Sequence, residues 1–173
     1  RAEVKIGVAT FTKRIRIETL KPNRLKINLT FPGEILGGES TGSSGSLNVK
    51  WLNGSTASNL NTSVEYLLKH TKTEFEKYSQ YDFDDPASQF YSETVSIFDD
   101  KVDGSGNATI NFAPRRELNA PGMLNAVFTA KVQEQGGDES IAQFTYKYAP
   151  YPVFVGINLP GLKGKSRMLF TDN

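Results

Sequence analysis

Apolar and polar residues alternate one by one along most of this chain. Leu25, Ile27 and Leu29, for example, are separated by Lys26 and Asn28. Successive side chains of a β-strand point to opposite faces of a sheet, so this alternation predicts a strand with one buried face. A series of such strands predicts an all-β antiparallel sandwich rather than a parallel α/β sheet. The alternating segments are residues 11–17, 25–31, 47–51, 108–112, 124–132, 142–148 and 153–157.

One further segment fits two structures equally well by its spacing. Val64, Leu67 and Leu68 are spaced as on one face of a helix, whereas Val64, Tyr66 and Leu68 alternate as in a strand. The all-β surroundings and the threonines that follow favour the strand. We therefore expect a strand at about 62–70 and a helical turn near 73–79.

Polar and glycine-rich stretches separate the predicted strands. Asp103–Asn107 and Gln135–Asp138 each lie between two alternating segments and predict β-hairpins. Residues 32–46 are rich in glycine and serine and predict a mobile loop. Pro150 and Pro152 predict an extended connector or an edge, because proline lacks an amide donor.

The alternation also predicts which side chains fill the space between two sheets. If Trp51 belongs to this core, its replacement by alanine would cost about 3–5 kcal/mol. The predicted core comprises Leu25, Ile27, Leu29, Val49, Trp51, Ile110, Phe112, Phe128 and Phe144.

Length and charge limit the classes of protein that remain. The chain has 173 residues, with 20 Lys and Arg against 19 Asp and Glu, a formal net charge of +1. This balance gives no general attraction to nucleic acid, and no apolar run reaches the roughly 18 residues that a membrane span needs. The length suits one domain with pieces of neighbours, and the start at Arg1 leads us to expect a processed or excised piece of a longer protein.

Most candidate chemistry fails on residue type or spacing. The chain has no cysteine, and His70 is its single histidine, which leaves one possible Ser-His-Asp triad and no multi-histidine metal site. Gly164-Lys165-Ser166 ends like a phosphate-binding loop, but Leu159 stands where that loop needs glycine. Asp103–Asn107 offers alternating oxygens like a calcium loop, but Ala108 occupies the glycine position.

Acidic pairs and aromatic residues leave two alternatives open. Asp84-Asp85 and Asp99-Asp100 fit polar turns or the paired carboxylates of a glycosidase, which are defined by a distance in space. The aromatic residues of the central region fit either a sandwich core or an exposed platform for sugar rings. These aromatic residues are Trp51, Tyr66, Tyr78, Tyr81, Phe83 and Tyr91.

Several segments, taken in order, resemble a macroglobulin (MG) domain of bacterial alpha-2-macroglobulin-like proteins, especially the branch from Bacteroidetes. The resemblance spans about residues 20–150, and its specificity lies in the order of segments rather than in any catalytic motif. The segments are Lys21–Ile27, Leu47–Ala57, Tyr81–Pro86, Val102–Ala108 and Val132–Ser140.

The resemblance implies a seven-stranded, immunoglobulin- or fibronectin-like sandwich within a row of similar domains. Residues 1–20 would be the last strands of a preceding MG-like domain, 21–150 a complete one, and 151–173 the start of a following one. The implied partners are these neighbouring domains and, for the whole parent protein, a target protease, with no nucleic acid and no direct membrane insertion. The parent is expected to be periplasmic or on the cell surface, secreted or lipid-anchored.

The resemblance further implies a structural, non-enzymatic module of a protease-trapping protein, an endopeptidase inhibitor. We expect no catalytic, cofactor-binding or metal-binding residues in it. The family's thioester needs Cys-Gly-Glu-Gln, whereas here Gln133 precedes Glu134-Gln135 and cysteine is absent. A carbohydrate-binding or adhesive β-sandwich of a bacterial surface protein is the alternative.

Overall fold

The computed structural model describes residues 2–7, 9–13, 23–38, 42–114 and 119–158. Two short strands come first, β1 (Ala2–Ile6) and β2 (Ala9–Lys13), which pair antiparallel as a separate two-stranded sheet. They occupy part of the region expected to close a preceding domain.

The next eight strands form two sheets. Strand order is β3-β5-β8 in the three-stranded sheet and β4-β10-β9-β6-β7 in the five-stranded sheet. The resemblance implied seven strands, whereas the two sheets contain eight, of which the three-residue β4 is the shortest. The strands are β3 (Leu25–Thr30), β4 (Ile35–Gly37), β5 (Ser43–Trp51), β6 (Asn61–His70), β7 (Val95–Lys101), β8 (Asn107–Phe112), β9 (Leu124–Gln133) and β10 (Glu139–Ala149).

The apolar faces of the two sheets meet in one core, as alternation predicted. Leu25, Ile27 and Leu29 are buried in β3 while the residues between them are exposed. Phe128 lies at the centre, with its ring centroid 5.0 Å from that of Phe31 and 5.1 Å from that of Phe112. Such tilted and edge-to-face ring pairs suit the charge distribution of aromatic rings.

The strand interpretation of residues 62–70 is confirmed. Strand β6 pairs antiparallel with β9 along its full length and with β7 along its first half. Val64, Tyr66 and Leu68 are buried, and the residues between them are not. A short 3-10 helix at Glu76–Tyr78 follows, inside the range expected for a helical turn.

One of the two predicted hairpins is correct. Residues 134–138 join β9 to its antiparallel neighbour β10. Residues 102–106 instead carry the chain from β7 in the larger sheet to β8 in the smaller one, so the prediction of a hairpin there is wrong. The turn chemistry is as expected, because Asp103 Oδ1 accepts hydrogen bonds from the amides of Ser105 (2.7 Å) and Asn107 (2.8 Å).

The expectation of a mobile loop over residues 32–46 is partly wrong. Strand β4 pairs in parallel with the end of β10, and β5 already begins at Ser43. Gly45 lies under the ring of Phe31, where a Cβ atom would come within 2.7 Å of ring carbons. Glycine at this position therefore allows the aromatic ring to close over the strand.

The core prediction fails for two of its nine members. Trp51 and Phe144 are half-buried and pack against the core from its margin. Residues 153–157, predicted as a strand, form none of the named strands, and Val153, Val155 and Ile157 are exposed.

A side-chain contact fixes the point at which the chain enters the sandwich. Asn23 Nδ2 donates to the carbonyl oxygen of Ile141 (2.8 Å), and the Ile141 amide donates to Asn23 Oδ1 (3.3 Å). The amide side chain thus takes the place of a strand neighbour at the beginning of β10.

Candidate functional site

Three side chains meet at the end of the sandwich where β3 begins. Arg24 precedes β3, Trp51 ends β5, and Glu134 follows β9. Arg24 Nη1 lies 3.1 Å from Glu134 Oε2, and its guanidinium carbon lies 5.6 Å from the centroid of the Trp51 ring. A guanidinium at this distance is attracted by the ring quadrupole. We call these three residues the Arg-Trp-Glu cap.

The cap pairs a buried carboxylate with an exposed cation. The side chain of Glu134 is 5% exposed, and that of Arg24 is 64% exposed. A buried charge is costly unless it is paired, and Arg24 provides the pairing. The Glu134 amide also donates to Asp138 O (2.8 Å), so the cap fastens the β9–β10 turn to the start of β3.

Two shallow cavities flank the cap, with volumes of about 510 Å³ and about 410 Å³. Arg24 and Trp51 line both. Polar neighbours already have partners, since Asn53 Oδ1 accepts hydrogen bonds from the Ser55 amide (3.0 Å) and Ser55 Oγ (2.7 Å), and Ser58 Oγ donates to a backbone carbonyl. The two cavities are therefore bordered by the Trp51 ring and by the Arg24 guanidinium, whose charge is paired with Glu134.

We expect Trp51→Ala to lower the free energy of unfolding by about 1–2 kcal/mol, less than the 3–5 kcal/mol of a fully buried aromatic residue. The ring is half-buried, so less apolar area returns to water. Urea denaturation followed by circular dichroism measures the change, with Trp51→Phe as a milder control. A loss of about 3–5 kcal/mol in the free energy of unfolding, as expected for a fully buried ring, would instead place Trp51 in the core.

A second polar cluster anchors residues 71–94, the connection between β6 and β7, which we call the β6–β7 excursion. Thr73 Oγ1 donates to Asp84 Oδ1 (2.5 Å) and accepts a hydrogen bond from the Met123 amide (2.6 Å). The Thr73 amide also donates to both carboxylate oxygens of Asp84, at 3.1 and 3.2 Å. Thr73 is buried, and these bonds satisfy its amide and its hydroxyl group. We call Thr73, Asp84 and Met123 the threonine clamp.

The aromatic residues considered as a sugar platform lie in separate places. Tyr66 is buried in the core, 5.0 Å from Phe112 between ring centroids. Tyr78, Tyr81 and Phe83 belong to the β6–β7 excursion and contact one another in sequence. Trp51 is in the Arg-Trp-Glu cap, and Tyr91 is exposed.

The acidic pairs are turn and edge residues in the structure. Asp84 belongs to the threonine clamp, and Asp85 Oδ1 accepts a hydrogen bond from the Ala87 amide (2.9 Å). Asp99 and Asp100 are exposed on β7, at the edge of the larger sheet. Charge on an edge strand discourages pairing with other chains, which gives these residues a structural explanation.

The remaining candidates are placed as follows. His70 is exposed at the end of β6. The Asp103 carboxylate closes its turn through backbone amides, as described above. Gly164-Lys165-Ser166 lies outside the described residues. Within those residues, no group of three or more His, Asp or Glu side chains is arranged to hold a metal ion, and no helix is long and apolar enough to cross a membrane.

The carboxyl group of Glu74 has a lowered pKa because it accepts a hydrogen bond from Lys72 Nζ (2.6 Å) and lies close to that positive charge. Both side chains are well exposed, so solvent and salt weaken the interaction. This pair is a local surface contact.

Sequence reasoning missed both the Arg-Trp-Glu cap and the threonine clamp. Arg24 and Glu134 lie far apart in the chain and meet only through the arrangement of strands. For the clamp, the sequence shows only a threonine and an aspartate among aromatic residues. This pattern does not indicate that the two side chains are in contact.

Comparison with known proteins identifies the class of this sandwich. A family model described as "Bacterial Alpha-2-macroglobulin MG5 domain" matches residues 23–150. No curated protein matches the chain. The fold is an immunoglobulin-like β-sandwich of the macroglobulin type.

Solved structures show the same fold. The chain is similar to Escherichia coli alpha-2-macroglobulin in its native conformation, with 20% identity and a TM-score of 0.64 over 82% of this chain and 9% of that one. Salmonella alpha-2-macroglobulin reacted with methylamine has 18% identity and a TM-score of 0.59 over 77% of this chain and 8% of that one. E. coli alpha-2-macroglobulin activated by porcine elastase has 19% identity and a TM-score of 0.61 over 76% of this chain and 12% of that one.

This chain belongs to the family of bacterial alpha-2-macroglobulin MG5 domains. It covers about a tenth of the length of the solved structures just compared, at 9%, 8% and 12%.

Proposed function

We propose that this chain is a non-enzymatic structural module of a larger bacterial protease-trapping protein. The observation that carries the proposal is the family match over residues 23–150, most of the chain. The structure supports a mechanical task, because the two polar clusters, the Arg-Trp-Glu cap and the threonine clamp, fasten loops to the sandwich. In the threonine clamp the Thr73 hydroxyl is buried and is bonded to both Asp84 and the Met123 amide, as expected of a structural contact.

The proposed organisation places the end of a preceding MG-like domain in residues 1–20, one complete domain in 21–150, and the start of a following one in 151–173. Its partners would be these neighbouring domains and, through the parent protein, a protease. We propose a periplasmic or cell-surface location for the parent protein.

The proposal predicts a size-dependent inhibition by the full-length parent. An enclosed protease should lose activity on a large protein substrate and keep activity on a small peptide, because only the peptide can diffuse into the enclosure. The present 173-residue chain alone should change neither activity and should show no activity in a hydrolase screen. Unchanged cleavage of the large substrate by the protease with the parent present would overturn the proposal.

A further inference from the structure

The segment that follows β10 is fixed at its beginning. Tyr151 Oη donates to the carbonyl oxygen of Ala120 (2.9 Å) and accepts a hydrogen bond from the Ala120 amide (3.0 Å). One hydroxyl group thus satisfies both backbone groups of a residue in another loop. Because both bonds act on the same oxygen, the ring of Tyr151 has little freedom to swing.

A row of aromatic rings continues the contact along the segment. The ring centroid of Phe154 lies 6.2 Å from that of Tyr151 and 5.8 Å from that of Phe75. Phe75 in turn lies 4.8 Å from Phe83, edge to face. Phe75 and Phe83 both belong to the β6–β7 excursion, so Phe154 joins the segment to the excursion, while Tyr151 also packs against the main core.

The far end of the segment is paired with the same excursion. The Asp82 amide donates to Ile157 O (2.9 Å), and the Ile157 amide donates to Asp82 O (2.8 Å). Between this pair and Phe154 stands Gly156, where a Cβ atom would lie only 2.5 Å from a ring carbon of Phe83. A side chain at this position would force the segment and the ring apart.

The two sides of the segment differ in a regular way. Phe154 and Gly156 face the excursion, while Val153, Val155 and Ile157 are 73%, 80% and 59% exposed. The segment therefore lies on the excursion as an extended strap with one contacting side. A solvated linker without such contacts would sample many backbone directions.

We propose that residues 151–158 form a rigid strap on the β6–β7 excursion. The position of the excursion then determines the direction in which the polypeptide leaves the domain after residue 158. The excursion is itself held by the threonine clamp, whose Asp84 is two residues from Asp82. Movement of the clamp is thus passed to Ile157, and movement of the strap is passed to the clamp. This coupling goes beyond the proposed function, since it holds for the chain whether or not the parent traps a protease.

Hydrogen exchange of the complete 173-residue chain tests the strap. The Ile157 amide should exchange at least about ten-fold more slowly than an unprotected amide, although it lies in a segment outside the named strands. Gly156→Ala should remove this protection and leave the amides of β9 and β10 unchanged. Val155→Ala is the matched control, because its side chain faces away from the excursion and its loss should not alter exchange at Ile157.

Coupling to the clamp is tested in the same experiment. Thr73→Val should accelerate exchange at Ile157, whereas Thr145→Val, an exposed threonine on β10, should not. An unprotected Ile157 in the unmodified chain, or unchanged protection in Gly156→Ala, would overturn the strap. Unchanged exchange at Ile157 in Thr73→Val would overturn its coupling to the clamp.

Discussion

Replacement of Phe128 by alanine is expected to lower the free energy of unfolding by about 3–5 kcal/mol, the largest effect of any single substitution considered for this chain. Phe128 is fully buried on β9 and contacts Phe31 and Phe112 on the side of the smaller sheet, and Tyr66 and Tyr146 of its own sheet. Alanine would leave a cavity at the point where the sheets meet, and the packed rings around it could only partly close the space.

Chemical denaturation followed by circular dichroism measures this loss. Phe128→Leu should cost less, because leucine keeps part of the apolar volume. Tyr91→Ala is the matched surface control, since Tyr91 is 82% exposed, and it should change stability by no more than about 0.5 kcal/mol. Equal effects of Phe128→Ala and Tyr91→Ala would contradict the packing of the two sheets around Phe128.

Thr73→Val is expected to lower the free energy of unfolding by about 2–4 kcal/mol. The change removes a hydrogen bond to a charged group and leaves a buried amide without an acceptor. Valine nearly keeps the shape of threonine but cannot donate to Asp84 or accept from the Met123 amide. Gly122 packs directly against the clamp, because a Cβ atom at this position would overlap Asp84 Oδ1 and Thr73 Oγ1.

The same denaturation experiment tests this second prediction. Thr145→Val makes the same chemical change at an exposed position of a strand, and it should be nearly neutral. If the two threonine variants were equally stable, the hydroxyl of Thr73 would not be holding the β6–β7 excursion to the segment around Met123.

The strands could be predicted from sequence because their side chains alternate between water and a core. This rule places the buried faces of β3, β8 and β9 correctly, including Ile110 and Phe128. It does not indicate how deeply a side chain is buried, because a residue at the margin of a sheet points inward just as a central residue does. Trp51 and Phe144 therefore shared the pattern of the core while lying at its edge.

The failures have local physical causes. The Asp103 turn uses the same backbone contacts whether the next strand joins the same sheet or the opposite one, so its chemistry could not identify the change of sheet. Residues 153–157 do alternate between contacting and exposed positions, but the aliphatic residues are on the exposed side. Phe154 and Gly156 contact the excursion because they fit beside Phe75 and Phe83, and the aliphatic residues face outward.

Contacts between distant segments were beyond the reach of sequence patterns. Arg24 and Glu134 carry ordinary surface charges in the sequence, and only the strand order brings them within 3.1 Å. Thr73 and Met123 likewise meet because β6 and β9 are neighbours, which places the residues that follow one strand beside those that precede the other.

The contact between Asn23 and Ile141 has a mechanical consequence. The chain enters the sandwich beside Ile141 and leaves it after Ala149, eight residues along β10, or about 26 Å at the rise of an extended strand. Once the contacts of residues 151–158 with the β6–β7 excursion had broken, a pulling force between the two connections would act lengthwise through β3 and β10, which lie in different sheets. The hydrogen bonds between β10 and β9 would be loaded together in shear instead of being unzipped one at a time, an arrangement suited to a link that must bear tension.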